Sequence, residues 1–199
     1  YNWNLIQNGQ TTNSSSYITS KLTDLAIEWT AAQTQPWFLW LAYNAPHAPF
    51  HLPPSELHSQ GALPNDSSSI NANPLPYYMA MIEALDSEMG RLLNSFSKEI
   101  LDNTLIIFIG DNGSPNEVVQ VYNSKRAKGS IYQGGINVPM VISGKNVTRA
   151  DDSEDALING SDLFATILDI AGAGISEKND SKSFKGLLST SNTSTRKYV

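Results

Sequence analysis

Asp111 and Asn112 stand side by side between Gly110 and Gly113. A carboxylate and an amide oxygen on a glycine-flanked turn suit a hard cation such as calcium, which takes oxygen ligands. The same four residues also suit an ordinary Asx-Gly turn. Two further polar side chains occupy comparable settings. His47 lies in Asn44-Ala45-Pro46-His47-Ala48-Pro49-Phe50, and Lys128 opens the stretch Lys128-Gly129-Ser130. Taken singly, a histidine among prolines also reads as a structural or surface residue, and a lysine before Gly-Ser as a solvated loop charge.

Each of these residues follows a segment able to position it. Leu105 to Ile109 is an apolar, β-branched run without polar alternation, ending abruptly at Gly110. It is too short for a buried helix and reads as a strand covered on both faces, as in the middle of an α/β sheet. Ligands gather at the carboxyl ends of such strands, where Asp111 stands. Residues 37–43, Trp-Phe-Leu-Trp-Leu-Ala-Tyr, read as a second buried strand leading into the His47 loop. Residues 138–142 read as a third, with Pro139 implying an edge or a strand start.

Helical periodicity marks residues 17–33, with an apolar stripe of Ile18, Leu22, Leu25, Ile27 and Trp29. It marks residues 77–100 more strongly, where Tyr78, Ile82, Leu85, Met89, Leu92, Leu93 and Phe96 should face the sheet. Residues 161–171 form a third helix, N-capped by Ser161, with Asp162 in its first turn and Gly172 and Gly174 stopping it. Residues 1–16 are polar and read as a loop. Residues 51–76, rich in Pro, Ser and Asn, read as a long excursion of the functional or mobile kind. A polar loop runs from Asn112 to Ser130, and the polar tail from Ser176 reads as the start of a further element. No internal repeat is visible.

Composition narrows the classes. A hydrophobic fraction of 40% in 199 residues supports a core and at most one domain with a small appendage. A net charge of -6 argues against a nucleic-acid footprint, and the only dense positive group is Lys125, Arg126 and Lys128. No run has the length of a membrane span. The absence of cysteine removes disulfides, thiolate nucleophiles and Cys-ligated zinc. Asn-x-Ser/Thr occurs at Asn13, Asn65, Asn112, Asn146, Asn159, Asn179 and Asn192. Composition alone predicts roughly three such sites. The excess fits a secretory route, so a secreted, lysosomal or periplasmic location is expected; an Asn/Ser-rich composition without glycans fits the same count.

In this order and spacing the residues resemble the sulfatase family, within the alkaline-phosphatase-like superfamily. The resemblance runs over nearly the whole chain, through YITSKLTDLAIEW, PWFLWLAYNAPHAPF, YYMAMIEALDSEMGRLL, TLIIFIGDNG, KGSIYQGGINVPMVISG and SDLFATILDIAG. It implies an α/β fold, part of a mixed, largely parallel sheet flanked by helices. Residues 1–175 would be the C-terminal portion of the catalytic domain, and 176–199 the start of a smaller C-terminal subdomain or tail. It implies that Asp111 and Asn112 are two ligands of a divalent cation, usually calcium. It also implies that His47 contacts the substrate sulfate near the leaving oxygen and that Lys128 binds the sulfate group. Sulfate-ester hydrolysis builds charge on the sulfuryl and leaving oxygens. A cation and a lysine stabilise the first, and an imidazole can donate to the second.

The chain departs from the family pattern in places. Gln133 stands where Glu is frequent and Lys125 where Arg is common; both read as minor changes. His51 reads as a surface residue and Asp86 as a structural helix residue. The larger departure is the nucleophile. The family uses a formylglycine made from Cys or Ser in a C/S-x-P-x-R motif, upstream of this region, beside two early aspartate ligands, a lysine and an arginine. No cysteine and no Ser-x-Pro-x-Arg occur here, and Ser114-Pro115 has the wrong spacing. With Tyr1 first, the chain is expected to be a fragment, a cleavage product or a degenerate relative. Its expected partners are a sulfated small molecule or carbohydrate and the missing N-terminal half of the domain. Without that half, a large apolar face should lie exposed. Two alternatives remain: a phosphodiesterase or phosphonate hydrolase of the same superfamily, and a non-catalytic relative that binds sulfated glycans.

Overall fold

The computed structural model describes residues 1–191 and 196–198; the Asn-x-Ser/Thr site at Asn192 lies outside them. In chain order the elements are β1 (Trp3–Gln7), β2 (Gln10–Ser14), α1 (Ile18–Ala31), α2 (Ser67–Ala72), α3 (Leu75–Asn94), α4 (Lys98–Asp102) and β3 (Leu105–Ile109). Then follow α5 (Gln133–Ile136), β4 (Met140–Gly144), α6 (Asp162–Ile170), β5 (Glu177–Lys178) and β6 (Ser181–Lys182). They form two compact units. The first holds Tyr1–Lys98 and Asn112–Val138, the second Glu99–Asp111 and Pro139–Val199.

In the first unit the expected N-terminal loop is a β-hairpin, with β1 and β2 antiparallel and Gln7 opposite Gln10. Asn8 and Gly9 both take positive φ, 51° and 76°. That is what a two-residue turn matching the strand twist requires, and Asn-Gly supplies it at little cost. The all-polar second strand hid the hairpin from a search for hydrophobic alternation.

Helix α1 buries Thr19, Thr23, Ala26 and Thr30, a face offset from the expected stripe. Two of its hydroxyls are satisfied internally: Thr23 donates to the Thr19 carbonyl at 3.0 Å and Thr30 to that of Ala26 at 2.8 Å, while the buried Thr19 hydroxyl makes no hydrogen bond among the described residues. The small face lets α1 lie against α3, which buries Tyr77, Tyr78, Ala80, Met81, Ala84, Leu85, Glu88 and Leu92. So α3 turns an alanine-lined face toward α1. The predicted stripe supplied Tyr78, Leu85 and Leu92 but missed the small residues that permit close approach. Glu88, 4% exposed, accepts from Ser20 at 2.8 Å and from Arg91 Nε at 2.8 Å, and Arg91 also reaches Asp24 at 2.8 Å. A buried carboxylate survives only with such partners.

Residues 37–43 form no ladder with any described residue, against the expected buried strand. They alternate strictly between half-buried and exposed. The Trp37 ring packs on Trp29 at 6.2 Å and Phe96 at 5.9 Å, and the Tyr43 hydroxyl meets Thr23 at 2.8 Å. Phe38 and Trp40, on the other face, are 59% and 69% exposed. The apolar run is therefore two-faced, and this chain covers one face. The 51–76 excursion is not featureless: it holds a single 3-10 turn and α2, which Asp66 caps by accepting the Ser69 N–H at 2.9 Å. Tyr77 donates to the Pro64 carbonyl at 2.6 Å, and Glu83 of α3 accepts from the Ser59 amide and the Gln60 side chain.

In the second unit β3 pairs with β4 antiparallel, Ile109 opposite Met140. The expectation of parallel neighbours thus fails for the pairings within this chain, where every described ladder is antiparallel. The α/β class holds. The Gly110 N–H donates to the Pro139 carbonyl at 3.0 Å, so the chain leaves and re-enters this hairpin at one point. Pro139 precedes β4, where its missing N–H costs no ladder bond.

Helix α6 ends in a Schellman motif. Gly172 has φ 78°, its N–H donates to Asp169, and the Ala173 N–H donates to Leu168. At its start the Ser161 side chain makes no capping bond. Asp162, 1% exposed, instead ties the helix start to its surroundings. It accepts the Asn159 and Lys182 amides at 2.8 Å each, together with the Arg196 guanidinium. The Phe184 amide donates to Thr166, and the Ala165 amide to Ser181, fixing the tail to α6.

Candidate active site

His47 is exposed on a loop whose Ala45–Pro46 and Ala48–Pro49 bonds are cis. Its amide donates to the Asn44 carbonyl at 2.8 Å, and Nδ1 lies 2.6 Å from the Ala48 carbonyl. A carbonyl can only accept, so Nδ1 carries the proton and Nε2 is left as the reactive atom. Neutral, Nε2 accepts a proton; protonated, it donates one.

Asn112 and Lys128 belong to segments locked together through their backbones. The Gly113 N–H donates to the Gly135 carbonyl at 3.0 Å, and the Lys128 N–H to the Ser114 carbonyl at 3.1 Å. The contact needs glycine. A Cβ on Gly113 would lie 1.8 Å from the Gly134 carbonyl oxygen, one on Gly134 2.5 Å from that of Arg126, and one on Gly135 2.2 Å from that of Ser130. The Asn112 Nδ2 donates to the Gly113 carbonyl at 3.0 Å, and no hydrogen bond to its Oδ1 occurs among the described residues. Asp111, at the end of the second unit's segment, is exposed, and its carboxylate has no hydrogen bond or ion pair among them.

The His47 loop is tied to the same place. Phe50 packs edge-on against Tyr78 at 5.8 Å, and the Tyr78 hydroxyl lies 3.3 Å from the Ser114 hydroxyl. Tyr78 thus bridges the end of the His47 loop to the strand of chain carrying Asn112 and Lys128. Sequence reasoning placed Tyr78 in the core stripe and missed this link. The available signal was a tyrosine where a phenylalanine would fill the core equally well, since a buried hydroxyl finds a partner.

The remaining candidates fall outside this cluster. Gln133 begins α5 and is exposed, as are Lys125 and, on α3, Asp86. His51, expected at the surface, is half-buried against the rings of Tyr1 at 5.9 Å and Tyr17 at 5.7 Å. Burial, with the neighbouring Tyr17 and Glu56, pushes the Tyr1 phenol up to about 12. Burial likewise raises the Tyr43 phenol, its hydrogen bond to Thr23 opposing the shift.

The donor chemistry of Asp111 and Asn112 fits a hard cation; their number does not complete one. Calcium takes six to eight oxygens, and no group of three or more His, Asp or Glu gathers among the described residues.

The protein-family model described as Sulfatase matches residues 1–173. The uncharacterized sulfatase YdeN of Escherichia coli K12 is 30% identical over 177 residues, which cover 86% of this chain and 30% of that protein. The ulvan-active sulfatase of Formosa agariphila is 33% identical over 106 residues, 53% of this chain and 16% of that protein. The crystal structure of Ps i-CgsB superposes with a TM-score of 0.74 at 27% identity, covering 91% of this chain and 40% of that one. The chain thus spans well under half the length of these relatives. Sequence, fold and matched length agree: the chain belongs to the sulfatase family.

Proposed function

We propose that this chain supplies the substrate-sulfate and leaving-group side of a sulfate-ester hydrolase site. The observation that carries the reading is the backbone lock joining the Asn112 and Lys128 segments, with Tyr78 fastening the His47 loop to them. Lys128 neutralises charge developing on the sulfuryl oxygens. His47, held through Nδ1 by Ala48, presents Nε2 to the leaving oxygen and, as the imidazolium, donates the Nε2 proton as the ester bond breaks. Asp111 and Asn112 give two oxygen ligands to a divalent cation, calcium in this reading, which would polarise the sulfate when bound. The substrate is a sulfated carbohydrate or small molecule.

The sequence contains no formylglycine precursor motif, so the chain by itself should not turn over an aryl sulfate chromogen in the presence of calcium. Turnover at formylglycine-like rates would overturn that claim. In a polypeptide joining this chain to a formylglycine-bearing segment, His47→Ala and Lys128→Ala should each lower kcat/KM by roughly a hundredfold. Unchanged activity in either variant refutes its assignment.

A further inference from the structure

Arg126 differs from the other arginines. Arg91, Arg149 and Arg196 each hold a carboxylate. Arg126 has no carboxylate partner among the described residues; its guanidinium lies over the Tyr132 ring, 4.5 Å from the centroid. Stacking occupies the flat face of a guanidinium and leaves its N–H edge open, the edge that matches a tetrahedral oxyanion. The backbone beneath is fixed. The Arg126 N–H donates to the Asn123 carbonyl at 2.8 Å, and Gly134 packs so closely on the Arg126 carbonyl that no Cβ fits.

The surroundings are apolar and exposed: Tyr132 is 49% and Ile131 87% exposed, and the Tyr122 ring, 43% exposed, lies against Gly134. Aromatic and aliphatic faces of this kind suit the C–H faces of a sugar ring. Lys128 follows two residues later, so the two Cα atoms are at most about 7 Å apart. Lys125 and Lys128 also lack ion pairs among the described residues. On a chain of net charge -6, this is the one dense positive group.

We propose that Arg126 and Tyr132 form a subsite for a second anionic group, a sulfate on the sugar next to the one whose sulfate sits at Lys128. The substrate is then a sulfated oligosaccharide rather than a monosulfated small molecule. This rests on the assignment of Lys128 to sulfate binding. Tyr132 holds the Arg126 guanidinium open and presents its exposed surface to the ring, while Arg126 takes the second sulfate.

The test is an amide chemical-shift titration of the 199-residue chain, a method that reads weak binding. The ligands are a chondroitin-sulfate tetrasaccharide, its desulfated counterpart and a monosulfated monosaccharide. The sulfated tetrasaccharide should bind at least tenfold more tightly than the monosaccharide. Arg126→Ala should remove most of that gain and leave monosaccharide binding unchanged; Arg126→Lys, which cannot stack and fork together, should restore only part. Tetrasaccharide affinity unchanged in Arg126→Ala overturns the subsite, as does equal binding of the desulfated sugar or equal competition by polyphosphate. Lys128→Ala tests the underlying reading separately. If it leaves monosaccharide binding intact while Arg126→Ala still weakens the tetrasaccharide, the Lys128 assignment fails and the Arg126 site stands.

Discussion

Replacing Gly113 by alanine should unlock the segment that carries Asn112. The added methyl would fall 1.8 Å from the Gly134 carbonyl oxygen and 2.9 Å from the Gly135 Cα, both backbone atoms that cannot swing aside. Relief requires the two segments to part by well over 1 Å, beyond the reach of the 3.0 Å bond from the Gly113 N–H to the Gly135 carbonyl. That bond is worth about 1 kcal/mol, and forced overpacking costs about 1–3 kcal/mol. The expected loss is about 3 kcal/mol of stability in the first unit. Gly90 provides the control in that unit. It lies inside α3 with nothing within 4 Å of an added Cβ, so Gly90→Ala should stabilise by up to about 0.8 kcal/mol. Urea unfolding followed by tryptophan fluorescence measures both, and amide hydrogen exchange at Lys128 reports the lock directly. A Gly113→Ala protein within about 0.5 kcal/mol of the parent, with Lys128 exchange unchanged, would refute the reasoning.

Other expectations follow from features already described. Phe38→Ser with Trp40→Ser should leave stability within about 0.5 kcal/mol while sharply reducing binding of a hydrophobic dye and any self-association; unchanged dye binding would place the exposed apolar face elsewhere. Burial opposes ionisation of Asp162, but Arg196 and the Asn159 and Lys182 amides outweigh it and hold the carboxyl below its ordinary range. Its contribution is therefore full above the unfolded-state value of about 3.9 and is lost as pH falls through the lower folded value. Asp162→Asn should be less stable than the parent at pH 7, and the gap should close in strong acid. A gap constant with pH, read from urea midpoints, would exclude this linkage.

The sequence disclosed what depends on local chemistry. Gly172 and Gly174 end α6 because left-handed backbone is needed there and glycine supplies it, and 3.6-residue periodicity located α1 and α3. It disclosed less where the outcome depends on what packs opposite. The threonine face of α1 is legible only once the alanines of α3 lie against it. Residues 37–43 read as buried on both faces because both carry apolar side chains, yet only Trp37, Leu39, Leu41 and Tyr43 find cover. The site divides in the same way. The residue types of His47, Asp111, Asn112 and Lys128 stood out through the family resemblance. The Nδ1 bond of His47 to its neighbour Ala48 depends on a loop shape that the residue types do not show. The Tyr78 bridge and the 113–135 and 114–128 contacts are long-range backbone or side-chain meetings that no local pattern encodes. The paired glycines at 134 and 135 were their one trace.

The single crossing point at Gly110 and Pro139 has an evolutionary consequence. Everything between these residues is, for the β3–β4 hairpin, one long turn whose ends are already joined. Lengthening such a turn costs little, about 0.6 kcal/mol for each doubling, and disturbs no ladder bond. Insertions and substitutions between residues 111 and 138, away from the contacts at Gly113, Ser114, Lys128, Gly134 and Gly135, can therefore accumulate without unpairing the strands. Selection can rework those positions while the hairpin that launches the stretch keeps its register.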